Sequence, residues 1–273
     1  MNKDDKVINE FGEEWKKFNF AHLNKESLFD NYQQYFSIFP WKLINKNSEG
    51  FDMGAGSGRW AQFVAPRVGT LNCIEPSEAI NVAKRNLSSF KNISFFQETT
   101  DTCSINPNSQ DFGYCLGVLH HIPDTQSALK DCANLLKSGA PFLLYLYYDF
   151  ENKPSWFRFI WKCSNLFRKF ISTLPLIIKK PICEVIALTI YWPLSRFALL
   201  LELVGMNVEN IPLTDYRNKP YYQLRNDALD RFGTRLEQRF SRTKITYMLE
   251  KAGFKDISFS DSTPYWCCIS YKS

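Results

Sequence analysis

The sequence predicts an α/β fold: a doubly wound, mostly parallel sheet with an antiparallel last strand, and a helical insertion before the final helix. Two observations carry this prediction. From about residue 50 to residue 149, short β-type runs alternate with helix-type runs, the pattern of a parallel sheet with helices on both faces. Near the end of the chain, two strand-like runs are separated only by "TP", which is too short for a parallel crossover.

The individual elements follow in a regular order. Five strands are predicted in the first part, in "GFDMG", "TLNCIEP", "ISFFQET", "DFGYCLGVL" and "APFLLYLYY". Helices are predicted in "GRWAQFVAPR", in "SEAINVAKRNLSSF", which starts with a serine N-cap, and in "TQSALKDCANLLKSG", which ends at a glycine. The alternation resumes near Ser241 with the capped helix "SRTKITYMLEKAG", followed by the strands "FKDISFSDS" and "YWCCISYK".

Changes in the sequence pattern along the chain define its predicted domain organisation. Residues 49–149 and 239–273 form the predicted core, and residues 150–238 form the insertion. Residues 1–48 are predicted to be helical, with aromatic anchors at Phe11, Trp15, Phe18, Phe29, Tyr32, Tyr35 and Phe36. The chain is long enough for one sizeable hydrophobic core, so we expect one domain with an elaboration.

Composition narrows the class of protein. The first residues are charged throughout, so no secretory signal is predicted and the cytoplasm is the expected location. The eight cysteines contain no C-x-x-C pair and the three histidines are scattered, so we expect reduced thiols and no metal site. All of the net charge of +5 lies between Glu151 and Met206, with eight Lys or Arg and three Asp or Glu. The balanced remainder predicts no nucleic-acid partner.

Three glycines follow the first predicted strand, in "FDMGAGSGRW". Glycine is needed where φ is positive or where a ligand approaches the backbone closely. A glycine loop between a strand and a helix can also direct free N–H groups and a positive helix end at that ligand. Residues 56–61 fit the G-x-G-x-x-[GA] pattern of dinucleotide-binding enzymes as well. The loop alone therefore leaves a nicotinamide-dependent oxidoreductase, or a tight turn without a ligand, as alternatives.

Several segments together identify a family. "DMGAGSGRW", "CIEPSEAINVAKRNL", "DFGYCLGVLHHIPD", "LLKSGAPFLLYLYY" and the terminal pair of strands resemble the class I S-adenosylmethionine-dependent methyltransferases. The resemblance covers about residues 50–150 and 240–273. It implies a seven-stranded sheet whose last strand is inserted antiparallel, S-adenosylmethionine as the cofactor, and methyl transfer to an acceptor. A plain dinucleotide-binding fold would not require the antiparallel pair.

The resemblance also assigns cofactor-binding residues. Asp52, two residues before the first glycine, would hold the cationic amine of the cofactor, and Glu75, at the end of the second strand, would accept both ribose hydroxyls. Gly54, Gly56 and Gly58 would lie under the methionine part.

Further cofactor contacts are implied after the second, third and fourth strands. Ser77 would edge the adenine, and Leu116 and Gly117 would pass beside the sulfonium. Related enzymes commonly carry an aspartate after the third strand, facing the adenine amine. This chain departs from that pattern and offers Thr99, Thr100 and Asp101. Thr100 and Asp101 are therefore the predicted contacts, and an ordinary loop acid is the alternative for Asp101.

Two histidines stand where the fourth strand ends, next to the expected methyl donor. A general base is needed only for a poorly acidic acceptor such as an alcohol. Histidine titrates near neutrality, so His120 or His121 could serve. The alternative is a structural "HHIPD" turn. His120 is the better catalytic candidate, and His121 is the better structural one.

The first half of the insertion, residues 154–205, mixes aromatic and aliphatic residues with lysine and arginine. Its longest uncharged run, from Val185 to Ser195, has eleven residues. About 20 are needed to span a bilayer, so no span is predicted. We expect amphipathic helices that form a lid on the core or rest peripherally on the inner membrane. The anchors for the second alternative are Trp156, Phe157, Trp161, Phe167 and neighbouring cations.

The second half of the insertion is dense in tyrosine, arginine and aspartate. Arginine forks suit phosphates and carboxylates, and tyrosines suit sugar hydroxyls or rings. The predicted substrate-binding residues are Tyr216, Arg217, Tyr221, Tyr222 and Arg225. A salt-bridged helix surface is the alternative. The expected acceptor is a small molecule, with sugars and lipid-linked intermediates as examples, and a cofactor-binding membrane-associated protein without catalysis is the remaining alternative.

Overall fold

The computed structural model describes residues 2–9, 12 and 25–273. The chain divides into two compact units, Met1–Asp149 with Gln238–Ser273, and Phe150–Glu237. The predicted anchors Phe11, Trp15 and Phe18 lie outside the described residues. The role of the second unit as a lid and in substrate recognition stays a prediction.

A seven-stranded sheet forms the centre of the first unit. Its strands are β1 (Glu49–Met53), β2 (Thr70–Ile74), β3 (Ile93–Phe96), β4 (Phe112–Leu116), β5 (Pro141–Tyr145), β6 (Phe254–Phe259) and β7 (Cys268–Lys272). Their order in the sheet is β3-β2-β1-β4-β5-β7-β6. All pairings among β1 to β5 are parallel, and β7 is antiparallel to both β5 and β6. The predicted fold class is confirmed, although residues 260–267 join β6 to β7 where the sequence predicted a two-residue connection.

The central strands β1 and β4 are buried along almost their whole length, as expected for parallel strands that are covered on both faces. Glycine makes room for two phenylalanine rings at the centre. Gly50 pairs with Phe112, and Phe51 pairs with Gly113. A Cβ atom on either glycine would lie 2.3 Å from the opposing ring. Each strand thus provides a gap for the large side chain of its neighbour, so the register of β1 and β4 is fixed by size.

Nine helices are labelled in chain order within the described residues. They are α1 (Lys25–Phe36), α2 (Ala61–Val64), α3 (Ala79–Asn86), α4 (Thr125–Leu135), α5 (Ser155–Ile171), α6 (Leu176–Ile186), α7 (Trp192–Leu203), α8 (Tyr221–Gly233) and α9 (Arg242–Lys251). Short 3₁₀ turns occur in addition, among them Leu119–His121 after β4.

Two helices of the first unit differ from their predictions. Helix α2 is a single turn that continues as the 3₁₀ segment Ala65–Arg67. Helix α3 starts one residue later than predicted, with Glu78 rather than Ser77 at the N-cap position. The hydroxyl of Ser77 still accepts from the N–H of Ala79 at 3.2 Å, so the serine closes the turn before the helix.

Helix α1 supplies the predicted aromatic anchors to one side of the sheet. Tyr32 and Phe36 are buried one turn apart. The ring of Phe36 meets Tyr114 of β4 at 5.2 Å, and the ring of Tyr32 meets Phe63 at 4.9 Å. The described part of the N-terminal segment therefore belongs to the core of the first unit.

The second unit has a small core between two helical faces. Cys183, Ala187 and Tyr191 repeat every four residues and pack with Leu224, Ala228 and Phe232, which repeat in the same way. A five-residue π segment, Ala187–Tyr191, joins α6 to α7.

Together α6, the π segment and α7 form one 28-residue helix, Leu176–Leu203. By length and composition alone, this helix could cross a membrane. Counting the uncharged run underestimated it, because a helix can continue through isolated charges such as Glu184.

Candidate functional site

The glycine loop lies between the carboxyl ends of β2 and β4. Gly54, Gly56 and Gly58 have φ values of +79°, +53° and +84°, the left-handed region that favours glycine. A Cβ atom on Gly54 would lie 2.4 Å from Val118 of the turn after β4, and one on Gly58 would lie 2.6 Å from Leu87. Backbone conformation and packing against the protein thus account for both glycines.

The N–H groups of the three glycines are also used within the protein. Gly54 donates to the carbonyl of Ile74 at 2.8 Å, and Gly58 donates to that of Ala55 at 2.8 Å. Gly56 donates to Oε2 of Glu75 at 3.0 Å. The expectation that this loop directs free N–H groups at a ligand is wrong for these three residues. Their placement under the methionine part of the cofactor stays a prediction.

Asp52 stands near the carboxyl end of β1, in register with Tyr114 of β4. Its carboxylate is almost completely buried and accepts a hydrogen bond from the Tyr114 hydroxyl at 3.0 Å. Burial is the main cause that raises the pKa of Asp52 to about 8; the hydrogen bond from the Tyr114 hydroxyl opposes this shift, and the nearby carboxylate of Glu75 adds to it. A buried acid held in this way is stabilised when a cation arrives beside it.

Glu75 follows β2 and joins the loop to the next turn. Its Oε2 accepts from Gly56 N and its Oε1 from Ser77 N, both at 3.0 Å. Burial raises the pKa of Glu75, and the hydrogen bonds from Ser77 and Gly56 oppose that shift. Each carboxylate oxygen has a further lone pair that can accept a ligand hydroxyl.

Gly117 provides open space directly after β4. Its φ is +80°, and its N–H donates to the carbonyl of Tyr145 at 3.0 Å. A Cβ atom there would meet only a ring carbon of Tyr145, at 4.0 Å. The preceding Leu116 is buried at the end of β4. At Gly117, unlike at Gly54 and Gly58, an added side chain would therefore enter space that the protein leaves open.

The predicted adenine contacts lie in turns after β2 and β3. Ser77 is buried, and a Cβ atom on Gly12 would lie 3.3 Å from the Ser77 Cβ, so the N-terminal segment passes over this turn. Thr100 is buried in the 3₁₀ turn after β3.

Asp101, by contrast, is exposed. Its carboxylate accepts from the backbone N–H of Asn2 at 2.8 Å and from the Thr99 hydroxyl at 2.5 Å. The Thr99 bond is the main cause of its lowered pKa. These contacts favour the loop-acid alternative for Asp101.

His120 is fully buried in the turn after β4. Its ring stacks on Tyr147 at a centroid distance of 3.8 Å and lies 4.1 Å from the ring of His121. Neither ring nitrogen has a hydrogen-bond partner among the described residues. Burial lowers the pKa of His120 well below its usual value, and the charges of His121 and Arg239 add to this effect. The ring is thus a neutral imidazole at physiological pH.

The segment that precedes α9 holds this turn in place, a contribution that the sequence did not predict. Gln238 donates its N–H to the carbonyl of His120 at 3.0 Å and its side-chain amide to that of Ile122 at 2.8 Å. The guanidinium of Arg239 lies 5.0 Å from the centroid of Tyr147. The periodicity of the sequence gives no signal for contacts between residues this far apart. The basic side chain of Arg239 was the one feature of the sequence that could have drawn attention to this segment.

The predicted substrate-binding residues of the second unit already have partners within it. Arg217 forms a bidentate pair with Glu202 at 2.7 and 2.8 Å. Tyr221 donates to Glu184 at 3.0 Å, and Arg225 lies 3.6 Å from the same carboxylate. Tyr222 lies under the Arg225 guanidinium, and the ring of Tyr216 lies 5.6 Å from that of Tyr191 in a tilted arrangement, with its hydroxyl donating to Asp227. This network favours the salt-bridged alternative, and substrate contact by these residues stays a prediction.

The first unit therefore fits a ligand with a cationic amine and a sugar. Two buried carboxylates, Asp52 and Glu75, stand at adjacent strand ends, and open space lies at Gly117 beside them. The insertion of β7 between β5 and β6 is not found in the dinucleotide-binding order 3-2-1-4-5-6. Fold and site define the class: this is a class I S-adenosylmethionine-dependent methyltransferase domain, with S-adenosylmethionine as its cofactor.

Comparisons with known proteins agree with this class. Residues 51–144 match the family model described as a methyltransferase domain. The ubiquinone biosynthesis O-methyltransferase of Serratia proteamaculans is 32% identical over 91 residues, which are 32% of this chain and 38% of that protein. The enzyme of the same name from Pectobacterium carotovorum is 27% identical over 150 residues, or 51% of this chain and 63% of that protein. Residues 51–144 of this chain therefore match a methyltransferase domain.

A solved structure shows the same fold over nearly the full length. A SAM-dependent methyltransferase from Thermotoga maritima superposes with a TM-score of 0.52 at 13% identity, covering 98% of this chain and 99% of that one. At this identity the likeness shows the fold alone. The chain spans less than two thirds of the length of either curated relative.

The protonation of Asp52 predicts pH-dependent cofactor binding. We expect the affinity for S-adenosylhomocysteine, which carries the same amine, to rise with pH up to about 8. Below the raised pKa of Asp52 the carboxyl is protonated, so a bound ammonium group must displace a proton. Each pH unit should change the affinity by up to about tenfold. Calorimetry in buffers of different ionisation enthalpy would measure the proton released.

Asp52→Asn supplies the control for this prediction. It should bind more weakly and without this pH dependence. In the ligand-free protein the folded pKa of Asp52 lies above the unfolded one, so the free energy of unfolding should fall as pH rises from about 4 to about 8. Asp52→Asn should remove that slope. A wild-type affinity that is flat across the same range would contradict the assignment of Asp52.

Proposed function

We propose that the protein is an S-adenosylmethionine-dependent methyltransferase that methylates a hydroxyl group of a small-molecule acceptor. The observation that carries this proposal is the buried, neutral imidazole of His120, placed directly after β4 in a methyltransferase domain. The two curated relatives are O-methyltransferases by name, which supports an oxygen acceptor. Sugars and lipid-linked intermediates stay within the proposed acceptor class.

The residues of the site have separate roles in this proposal. When bound, S-adenosylmethionine supplies an electrophilic methyl group on a positively charged sulfur. Asp52 would hold its amine and Glu75 its ribose, which fixes the orientation of the donor. His120 would accept the hydroxyl proton of the acceptor, since a neutral imidazole with an unpartnered nitrogen is already in the basic form. Tyr147 stacks on the ring and limits its rotation.

The first test separates a catalytic His120 from a structural one. His120→Phe should lower kcat by roughly a hundredfold, the range expected for loss of a general base. It should leave the affinity for S-adenosylhomocysteine unchanged and the melting temperature unchanged or higher, because two unpartnered buried nitrogens are removed. His121→Phe is the matched comparison and should retain most turnover. A stable His120→Phe protein with normal kcat would show that His120 is not the general base.

The second test addresses the acceptor and the competing functions. The purified protein, supplied with labelled S-adenosylmethionine, should label a component of an aqueous or lipid extract. Treatment that cleaves ethers and esters but leaves methylamines should release the label. Calorimetry should show saturable binding of S-adenosylhomocysteine and none of NADH. Saturable cofactor binding without label in any extract would favour the binding protein without catalysis.

A further inference from the structure

We propose that the second unit docks, through its exposed hydrophobic side chains, onto the surface of a bilayer that contains anionic lipids. Among the described residues, every exposed large hydrophobic side chain lies between Trp156 and Met206, except Phe29, Leu43 and Tyr247. We call the exposed hydrophobic side chains of this stretch the apolar face. A monomeric soluble protein rarely leaves so many such side chains in water, so the concentration in one unit indicates a binding surface.

Helix α5 is amphipathic with its apolar stripe turned outward. Its exposed side chains follow helical spacing along one face: Trp156, Phe159, Ile160, Leu166, Phe167 and Phe170. Phe167 and Phe170 are exposed by 68% and 67%. The inward side is mixed: Ile171 packs in the small core of the unit, and Arg168 is buried and donates to the carbonyl of Thr234 and to the side chain of Asn165. Packing within the unit therefore uses that side, and the exposed hydrophobic stripe is left for a partner.

The half-buried aromatics of α5 refine the predicted membrane anchors. Phe157 and Trp161 pack on Phe150 at 5.3 and 5.6 Å, within the second unit. They belong to the inward side of the helix. Trp156 and Phe167 remain as outward anchors, and Phe159 and Phe170 join them.

Cations flank the outward stripe of α5. Arg158, Lys162 and Lys169 are exposed and, at about 100° per residue, lie on one flank between the apolar stripe and the inward side. Within the described residues they have no carboxylate partner. Such a helix lies in the plane of a membrane interface, with its hydrophobic side in the acyl region and its cations at the lipid headgroups.

The long helix Leu176–Leu203 carries further exposed hydrophobic side chains. They include Ile177, exposed by 83%, and Leu200 and Leu203 near its end. Its inward side packs in the small core of the unit and also carries two cations that are hydrogen-bonded to backbone carbonyls. Lys179 donates to the carbonyl of Gly233 at 2.7 Å, and Arg196 donates to the carbonyls of residues 217 and 219.

These bonds distinguish a surface helix from a spanning one. If the helix crossed the bilayer, its inward side would lie in hydrocarbon together with α8 and the charges attached to it. This burial would have a high free-energy cost. Lying at the interface keeps those bonds and covers only the outward side. The helix is therefore half-immersed in this proposal.

Charge favours a lipid surface over a second copy of the chain. The stretch between Glu151 and Met206 carries the whole net charge of +5, so two apolar faces brought together would repel each other. Anionic headgroups attract the same charge. This inference does not depend on the methyl-transfer proposal, since the surface lies outside the residues assigned to cofactor or proton transfer.

Sedimentation with lipid vesicles tests the proposal on the full chain. The protein should sediment with vesicles of mixed phosphatidylcholine and phosphatidylglycerol, and much less with pure phosphatidylcholine. Replacing Phe159, Phe167 and Phe170 together by serine should abolish sedimentation. Replacing Arg158, Lys162 and Lys169 together by glutamate should weaken it by at least roughly a hundredfold.

Controls keep folding separate from binding. The paired change Leu43→Ser and Tyr247→Ser removes exposed hydrophobic side chains from the first unit and should not affect sedimentation. All variants should retain helical circular dichroism and normal affinity for S-adenosylhomocysteine. That affinity should be unchanged even if no acceptor is ever methylated, so the two proposals can fail independently.

Three outcomes would overturn the surface proposal. The first is a wild-type protein that ignores anionic vesicles. The second is a wild-type protein that is a dimer and binds no vesicles, and whose serine variant is a monomer; this result would assign the apolar face to contact with a second copy. The third is bound protein that resists both high salt and alkaline carbonate, which would make Leu176–Leu203 a span.

Discussion

Gly117→Ala is expected to weaken S-adenosylhomocysteine binding by roughly five- to two-hundredfold while the fold is retained. The added Cβ would meet only Tyr145, at 4.0 Å, so nothing in the protein opposes it. A ligand that occupies this open space would be opposed, and overpacking of that kind costs about 1–3 kcal/mol. Calorimetry gives the affinity, and thermal unfolding gives the stability.

A second glycine separates steric loss from backbone strain. Gly139 has a φ of +77°, close to the +80° of Gly117, and nothing lies within 4 Å of its added Cβ. Alanine at either position should cost about 1–2 kcal/mol of stability, since L-residues rarely adopt this conformation. Gly139→Ala should therefore show the same drop in melting temperature and unchanged binding. Equal affinities in the two variants would mean that Gly117 serves the turn alone.

Gly54 is a poorer probe, although it belongs to the more conspicuous motif. Alanine there would place its Cβ 2.4 Å from Val118, which is backed by the turn after β4. The variant should lose stability and ligand together, so its failure to bind would say little about the cofactor. Of these two positions, the more informative one thus lies outside the glycine loop.

The sequence predicts the sheet well because its signals are local. Alternating strand and helix runs place β1 to β5, and a connection too short for a crossover requires the antiparallel β6 and β7. Helix starts are less certain, since Ser77 and Glu78 are both reasonable caps and only the backbone shows which one the helix uses.

The contacts that tune the site are not local. The hydrogen bond from Tyr114 to Asp52 depends on the register of β1 against β4, which follows from how Phe51 and Phe112 fit opposite glycines. Gln238 reaches the His120 turn across more than a hundred residues because the bridge between Tyr148 and Phe240 brings that segment alongside β5. Neither contact leaves a periodic trace in the sequence.

Helix α5 shows a different limit of sequence reasoning. Its spacing predicts an amphipathic helix correctly but does not state which side is buried. An apolar stripe is ordinarily read as the side that faces the core. Here Arg168 faces inward and Phe167 faces outward, because the small core of the second unit is filled by α6, the π segment and α8.

The largest loss of cofactor affinity is expected for Glu75→Gln, at least a hundredfold. Both carboxylate oxygens accept a backbone N–H, from Gly56 and from Ser77. A glutamine offers one acceptor and one N–H₂ group, so in either orientation a donor faces a donor and one of these bonds is lost. Removing the charge also weakens the bonds predicted to the ribose hydroxyls, each worth about 1.5–3 kcal/mol when an ion is involved.

Stability should respond far less than binding, which makes the variant interpretable. Loss of a loop hydrogen bond destabilises the fold, whereas removal of a buried carboxylate with a raised pKa stabilises it at neutral pH, so the two effects oppose each other. Glu78→Gln is the matched control: among the described residues, the exposed Glu78 carboxylate accepts from Asn81 and Gln97 alone, and the affinity of the variant should be that of the wild type. Calorimetry and denaturant titration on both variants decide the matter. If a folded Glu75→Gln protein bound with wild-type affinity, the sugar of the cofactor would have to be held elsewhere, because this substitution leaves the loop nearly intact.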